Sequence, residues 1–258
     1  MKVAIINDTH CGIRNSSDIF RDNAEKFYAD VFFPTLLGRG IRHIIHLGDY
    51  FDHRKFINFR ALNRNRHVFL ERLRKEQITM DIIAGNHDTY YKNTNDLNSL
   101  KELLGHYMNE VHIIHEPTVM EYGSLKMGMV PWICAENHEK TMEFIKTAKC
   151  DWIGGHFEFA GFNVMRGVVA PHGLDHKLLS RFERVLSGHF HTKSQQDNVT
   201  YLGTQMEFFW SDANDPKFFH ILDTETRELE AIRNPYTLFE KLCTMTKKPI
   251  IISIMSPT

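Results

Sequence analysis

The chain has 258 residues, of which 42% are hydrophobic and 24% charged, and its formal net charge is −1. This composition is typical of a globular protein, and the near-zero charge excludes a bulk attraction to nucleic acid, so such a partner requires a local basic patch. The sequence has neither a continuous apolar run of about 18 residues nor a secretory signal in its start, MKVAIINDTH, which predicts a cytoplasmic protein.

Short apolar runs recur along the chain at 3–6, 43–47, 80–84, 111–114, 125–130, 151–155 and 184–188. Each has the length and β-branched content of a strand. Segments with helical apolar spacing, at 20–31 and 59–73, separate the first three runs. Later segments, at 198–203, 217–224 and 227–233, are typical of antiparallel hairpins. The sequence therefore predicts an α/β fold with two mixed β-sheets packed together and flanked by helices.

The chain length fits one large domain. The four cysteines, Cys11, Cys134, Cys150 and Cys243, are far apart and have no paired spacing. This pattern indicates reduced thiols rather than a disulfide framework or a zinc ribbon.

Metal-ligand residue types follow five of the predicted strands, at the point where each strand ends. They are Asp8 and His10; Asp49, Asp52 and His53; Asn86, His87 and Asp88; His156; and His189 and His191. Each motif alone has a simpler explanation, such as a hydrogen-bonded pair for D-x-H or a turn for G-N-H-D. Ligands gather at the carboxyl ends of strands in α/β sheets, and imidazole is the commonest metal ligand. Five such motifs in series therefore indicate one shared metal site.

The five motifs are D-x-H at 8–10, G-D-x-x-D at 48–52, G-N-H-D at 85–88, G-H at 155–156 and G-H-x-H at 188–191. In this order they resemble the motifs of the calcineurin-like metallophosphoesterase superfamily. The segments HLGDYFD, AGNHDTYYKN, VPWICAEN, GHFEFAGF, LSGHFHT and NDP are most similar to SbcD-type DNA double-strand-break repair nucleases, particularly the recombination nuclease subunit of T-even-type bacteriophages. The resemblance implies a four-layer αββα sandwich and a phage-encoded protein of the host cytoplasm.

The resemblance also implies two metal ions. The first ion would be held by Asp8, His10, Asp49 and His191, and the second by Asp49, Asn86, His156 and His189. Asp49 is the shared ligand, because a carboxylate readily bridges two cations with its two oxygens. Mixed oxygen and imidazole ligands suit manganese, iron or zinc better than magnesium or calcium. The family expectation is two Mn²⁺, with Mg²⁺, Fe and Zn as alternatives.

Catalysis in such a centre uses a hydroxide that attacks phosphorus in line, so the leaving oxygen needs a proton. His87 follows the ligand Asn86 and is the candidate general acid or transition-state stabiliser. We expect Asp52 to orient the His87 imidazole and keep it protonated. The alternative for Asp52 is a loop cap.

The predicted substrate is DNA. His53 stands where protein phosphatases of this superfamily have an arginine that binds a phosphomonoester, which favours a diester. Residues 54–75 contain eight basic residues and a single acidic one. We expect Arg54, Lys55, Arg60 and Tyr90 to contact DNA. The alternative for the basic residues at 72–75 is a solvated helix surface.

Other conspicuous side chains have a structural interpretation. The aromatic residues at 208–210 and 218–219 are better explained by packing than by stacking on bases. His43 and His46 lie within a predicted strand before Asp49, and we expect them in the core or behind the ligands.

The resemblance implies a metal-dependent DNA exonuclease and endonuclease of recombination and repair, with an SbcC-type ATPase as partner and with homodimerisation. Residues 1–235 would form the nuclease domain and 236–258 the start of a capping or partner-binding region, short or truncated, which leaves the partner and the dimer open. One alternative keeps the metals and hydrolyses a small or cyclic-nucleotide diester. Another is a non-catalytic scaffold, which the intact ligand set disfavours.

Overall fold

Two six-stranded mixed sheets form the centre of the computed structural model, which describes residues 1–242 and 250–253. In spatial order, the first sheet contains Leu229–Arg233 (β14), Phe218–Asp223 (β13), Lys2–Ile6 (β1), His43–His46 (β2), Thr79–Ile83 (β3) and Val111–Ile114 (β4). The second contains Ser194–Gln196 (β11), Val199–Tyr201 (β12), Arg184–Ser187 (β10), Trp152–Gly155 (β7), Leu125–Val130 (β6) and Thr118–Tyr122 (β5). Small hairpins are formed by Asn163–Met165 (β8) with Val168–Val169 (β9), and by Phe239–Leu242 (β15) with Ile250–Ser253 (β16).

The central strands of both sheets are parallel. Strands β1 to β4 run parallel to one another, and β13 and β14 add to them in antiparallel fashion. In the second sheet β6, β7, β10 and β12 are parallel, while β5 and β11 form antiparallel edges. Parallel strands place their carboxyl ends on the same side of a sheet, which is where this fold can build a site.

Helices connect the parallel strands. They are Ile13–Ser16 (α1, a single turn), Asp18–Phe27 (α2), Phe33–Gly38 (α3), Phe59–Asn65 (α4), Glu71–Glu76 (α5), Ser99–Leu104 (α6) and His138–Thr147 (α7), with 3₁₀ turns at Gly105–Tyr107, His176–Leu179 and Trp210–Asp212. A π-helical turn, Tyr28–Phe32, joins α2 to α3, and a second, Arg66–Leu70, joins α4 to α5. Asn58 begins α4, because its side-chain oxygen accepts from the backbone N–H groups of Arg60 and Ala61.

Alternating side chains of the strands separate the layers. In β1, Ala4 and Ile6 pack against the helices that cover the first sheet, while Val3 and Ile5 pack against the second sheet. Ile145 of α7 packs with Ile153 and Val185 on the outer face of the second sheet. The predicted four-layer αββα sandwich is therefore confirmed.

The seven strands predicted from apolar runs are all present, each within one residue of its predicted bounds, and so are the predicted helical segments. The sequence does not predict β5, an edge strand of mixed polar and apolar residues that forms by pairing with β6. The thiols of Cys11, Cys134 and Cys150 are free, and Cys243 lies outside the described residues. Within the described ranges, no helix is long and apolar enough to cross a membrane.

Substituting Phe69 by alanine should destabilise the fold strongly. The Phe69 ring is fully buried against the rings of Tyr28 and Phe33, at centroid distances of 5.0 and 5.7 Å. Removing a buried phenyl ring costs about 3–5 kcal/mol. We expect urea unfolding to show this loss as a lower midpoint at an unchanged slope. Phe59→Ala is the matched control, since Phe59 is 85% exposed; equal effects of both changes would contradict the described packing.

Candidate metal centre

The predicted ligands come together where the carboxyl ends of parallel strands from both sheets meet. Strands β1, β2 and β3 of the first sheet and β7 and β10 of the second are followed by them: Asp8 and His10, Asp49, Asn86, His156, and His189 and His191. Among the described residues, ligand atoms lie within 4.8 Å of one another in three groups: Asp8, His10 and His191; Asp49, His156 and His189; and His10, Asp52 and His87. The first two groups each contain three members of one predicted ligand set.

Asp49 lies between the two groups. Its Oδ2 is 3.3 Å from Nε2 of His156 and 3.8 Å from Nε2 of His10. Nε2 of His10 is also 3.2 Å from Nε2 of His191, and Asn86 Oδ1 is 3.1 Å from Nε2 of His156. Imidazole nitrogens and carboxylate oxygens that converge in this way form a donor set suited to divalent transition metals.

Four of these residues have a left-handed backbone. The φ angles are 48° at Asp8, 43° at His10, 55° at Asp49 and 84° at His189. This region is unfavourable for residues with a Cβ atom, and such strain persists only where the surrounding structure enforces it. Its concentration at one cluster indicates a functional site.

Three motif glycines allow the backbones to approach the ligands closely. A Cβ atom at Gly85 would overlap Oδ1 and the backbone nitrogen of Asp49. A Cβ at Gly48 would lie 2.6 Å from Nδ1 of His156, and one at Gly188 would lie 2.6 Å from the carbonyl oxygen of Leu47. A larger residue at Gly48, Gly85 or Gly188 would therefore displace the atoms around the candidate ligands.

The local electrostatics favour a bound cation. Burial disfavours a charged His156, but the adjacent carboxylates of Asp49 and Asp8 raise the pKa of its imidazole to about 9. Burial and the nearby His156 lower the pKa of His189 to about 3, so that His189 is neutral with a nitrogen lone pair available. The two buried carboxylates thus attract positive charge, which protons or metal ions can supply. The donor set fits bound divalent cations.

A hydrogen bond at Nδ1 of His156 and an ion-pair contact at Nδ1 of His10 orient the ligating nitrogens of these two rings. His156 donates from Nδ1 to the carbonyl oxygen of Leu47 at 2.8 Å, which leaves Nε2 facing Asp49. Nδ1 of His10 lies 3.2 Å from Oδ1 of Asp52, and its Nε2 faces the cluster. Such contacts fix the tautomer and the ring orientation of a metal-binding histidine.

The structure brings Asp52 and His87 together, but the backbone of Asp52 accepts the hydrogen bond from the His87 ring. His87 donates from Nδ1 to the backbone carbonyl oxygen of Asp52 at 2.6 Å, while the carboxylate lies against His10 and His53. The turn after Asp49 directs the side chain of Asp52 toward His10. The backbone N–H of His87 donates to Oδ1 of Asp49 at 2.7 Å. His87 is therefore fixed directly beside the centre.

Asp88 has a structural role, because it connects two loops of the site by hydrogen bonds. Its buried carboxylate accepts hydrogen bonds from the backbone N–H groups of Gly85, Tyr50 and Phe51 at 2.9 to 3.1 Å. These bonds join the loop after β3 to the loop after β2. Asp88 therefore fixes Asp49 relative to Asn86, a role that the G-N-H-D motif does not reveal by itself.

Lys217 is a further supporting residue that sequence reasoning missed. Its side chain is 3% exposed, and its Nζ lies 3.0 Å from the carbonyl oxygen of His191 and 2.9 Å from Oδ2 of Asp215. Asp212 lies 3.3 Å from the same nitrogen. The only signal in the sequence is the NDP segment that carries Asp215. Lys217 thereby secures the backbone of a ligand.

The expected DNA-contacting residues lie in two places. Arg54 donates to the carbonyl and hydroxyl oxygens of Thr89, and Nζ of Lys55 lies 5.3 Å from the ring centroid of Tyr90. These three residues, Arg54, Lys55 and Tyr90, are thus beside the loop that carries His87. Arg60 lies on α4 and pairs with Asp18 at 3.0 Å on the exposed surface.

Of the residues with a structural interpretation, His46, Phe208 and Phe219 are buried, His43 and Phe218 are half-buried, and Phe209 and Trp210 are exposed. Nε2 of His46 lies 3.1 Å from Oγ1 of Thr9, between Asp8 and His10. Phe209 is 41% exposed and stacks on the His191 ring at a centroid distance of 5.7 Å. Trp132, not predicted as part of the site, lies 5.4 Å from the His189 ring.

The structure has two mixed sheets with a histidine and aspartate cluster at the strand ends. The family model "Calcineurin-like phosphoesterase" matches residues 1–193, and the chain belongs to this family. It is 34% identical over 243 residues to exonuclease subunit 1 of Enterobacteria phage T4, and the alignment covers 94% of this chain and 70% of that protein.

Two solved structures are similar at low identity. A novel archaeal phosphodiesterase has 18% identity and a TM-score of 0.43, covering 91% of this chain and 100% of its own. A protein of Thermus thermophilus has 12% identity and a TM-score of 0.47, covering 90% and 98%. The family assignment depends on the sequence matches alone.

Substituting Gly85 by alanine should disrupt the centre. The added methyl group would overlap Asp49, so the carboxylate must move out of the position between the two ligand groups. We expect Mn²⁺ binding, measured by titration calorimetry, to fall by at least about 10-fold, as changes around metal ligands commonly cause. Gly105→Ala is the control, because a Cβ there meets no atom of the described residues within 4 Å. Undiminished binding by Gly85→Ala would contradict the central position of Asp49.

Proposed function

We propose that this chain is a metal-dependent DNA nuclease that hydrolyses phosphodiester bonds as an exonuclease and an endonuclease. The observation that carries the proposal is the position of Asp49 between two groups of imidazole and carboxylate ligands. Membership of the calcineurin-like phosphoesterase family supports phosphoester hydrolysis. The similarity to a phage exonuclease subunit supports DNA as the substrate.

The ligands fall into two sets that share Asp49. Asp8, His10 and His191 would hold one ion, and Asn86, His156 and His189 the other. Two Mn²⁺ are proposed, with Mg²⁺, Fe and Zn as alternatives. When bound, the cations would supply positive charge that lowers the pKa of a water molecule and neutralises the phosphoryl oxygens.

His87 is the proposed general acid. Its backbone and Nδ1 are both fixed by hydrogen bonds, so Nε2 is the ring atom left to donate a proton to the leaving oxygen. Asp52 supports this role from two sides, since its carbonyl oxygen orients His87 and its carboxylate orients His10. The Asp52 carboxylate also lies within 4.8 Å of a ring nitrogen of His87.

The surface beside His87 supports a nucleic-acid substrate. Arg54 and Lys55 are cationic, and among the described residues neither forms an ion pair with a carboxylate. Cations in this position can neutralise backbone phosphates, and Tyr90 offers an aromatic face. Arg60 would contact the strand farther from the centre, in exchange for its exposed pair with Asp18.

We further propose that residues 1–235 form the nuclease domain and that 236–258 begin the region that contacts a partner. The proposed partner is an SbcC-type ATPase, with a homodimer as the assembly, in DNA recombination and repair in the cytoplasm. A chain of contacts between this region and the candidate metal centre supports the proposal. The buried Glu207 accepts hydrogen bonds from the backbone N–H groups of Leu238 and Phe239, and the neighbouring Phe208 packs against His10.

Mn²⁺ should stabilise the folded protein. A ligand that binds only the native state at 100 times its dissociation constant adds about 2.7 kcal/mol to the free energy of unfolding. We expect urea unfolding in Mn²⁺ to show this gain over unfolding in a chelator. Asp49→Asn keeps the side-chain shape but loses the charge shared by both ligand sets, so it should show little or no gain. A gain of equal size in Asp49→Asn would refute the proposed ligand role of Asp49.

Substituting His87 by alanine should abolish most DNA cleavage while sparing metal binding. Loss of a general acid lowers kcat by about 10²–10⁴-fold. The measurement is digestion of end-labelled duplex and single-stranded DNA with Mn²⁺, beside a chelator control and calorimetric Mn²⁺ binding. His106→Ala replaces an exposed histidine near α6 and should leave both unchanged.

The same digestion assay should include a small chromogenic diester and a cyclic nucleotide as alternative substrates. Hydrolysis of either with DNA left intact would replace the nuclease with a small-molecule phosphodiesterase. DNA cleavage by His87→Ala at the wild-type rate would show that the activity comes from a contaminant.

A further inference from the structure

A cavity of about 210 Å³ opens beside the loop that carries His87. Its walls are largely apolar and include Phe51, Phe56, Ile57, Tyr90, Leu97 and Leu103. Arg54 and Lys55 also line it, and both are at least partly exposed. The cavity is thus apolar inside and has cations available to a ligand at its surface, which suits a flat apolar group joined to an anion.

The cavity is connected to the candidate metal centre by short contacts. Nε2 of His53, which lines it, is 3.5 Å from Oδ2 of Asp52, whose carbonyl oxygen holds His87. Arg54 donates to Thr89, whose hydroxyl donates to the carbonyl oxygen of Asn86 at 3.2 Å. The residues that line the cavity therefore contact the residues that hold His87 and the carbonyl oxygen of Asn86.

Two aromatic features of the cavity are suited to stacking. Phe56 stacks one face on His53 at a centroid distance of 4.4 Å and an interplanar angle of 24°, yet the residue is 63% exposed. Lys55 lies over the Tyr90 ring. A large apolar side chain left in water beside a site is typical of a binding surface, and aromatic rings next to cations bind the bases and phosphates of single strands.

We propose that this cavity binds one nucleobase flanking the scissile phosphate, with Phe56 as the stacking residue. The inference rests on the proposed nuclease function. The base must be unpaired to enter, so the enzyme acts on a single strand or on a frayed duplex end. Stacking accepts every base, so the contribution is independent of sequence. Glu102, which also lines the cavity, can accept a hydrogen bond from the amino group of a base.

The test removes the base and its stacking residue separately and together. An end-labelled single-stranded oligonucleotide carries one abasic residue, moved position by position, and the cutting rate of each bond is read on a denaturing gel. We expect bonds flanking the abasic residue, on one side of it, to be cut about 10-fold more slowly by the wild-type protein, in keeping with the strength of base stacking. Phe56→Ala should cut normal and abasic bonds at similar rates.

Phe59→Ala is the matched control, because Phe59 is an exposed phenylalanine three residues away that does not line the cavity. It should keep the full abasic effect. A second measurement needs no catalysis: with metal chelated, the fluorescence of 2-aminopurine in the oligonucleotide should be quenched on binding to the wild-type protein and less so with Phe56→Ala.

Three outcomes separate the two proposals. DNA cleavage without an abasic effect, or an abasic effect that persists in Phe56→Ala, overturns the base-binding cavity and leaves the nuclease in place. Absence of DNA cleavage together with absence of 2-aminopurine quenching overturns both. Quenching that depends on Phe56 in a protein that does not cleave DNA keeps the cavity and overturns the nuclease.

Discussion

The position of the Asp49 carboxylate is the constraint on which the rest of the site depends. It sits between two groups of histidines because its backbone has a left-handed φ of 55° and because Gly85 allows the next loop to approach without a Cβ atom. The backbone N–H of His87 donates to Oδ1, which leaves Oδ2 facing His10 and His156. A single carboxylate thereby links the ligands and positions the proposed acid.

The candidate centre forms only when the two sheets pack together, because each sheet contributes candidate ligands. The Leu47 carbonyl oxygen at the end of β2 orients His156 after β7, and the backbone N–H of His189 after β10 donates to Asp8 after β1. Rigid strand ends hold these groups more precisely than free loops could. The strained backbones of four ligand residues are the conformational cost, offset by the surrounding hydrogen bonds.

Residues that follow β12 support candidate ligands that precede them in the chain. Lys217 secures the carbonyl oxygen of His191, and Asn234 donates to the carbonyl oxygen of Gln205, which itself approaches Asp8. Glu207 accepts hydrogen bonds from the backbone N–H groups of Leu238 and Phe239 at the start of β15. Hydrogen bonds therefore connect the segment after residue 235, where the proposed partner would bind, to residues next to the candidate metal centre.

Local sequence patterns predicted seven strands, the two-sheet α/β class and the order of the ligand motifs, because short apolar runs rich in β-branched residues and the D-x-H, G-N-H-D and G-H-x-H spacings are local features. Only the tertiary structure decided that the Asp52 carboxylate meets His10, that Asp88 joins two loops and that Lys217 supports His191. These contacts link residues distant in the chain, so no local pattern specifies them. The cavity beside His87 likewise depends on how the loop after β2 packs against the loop after β3.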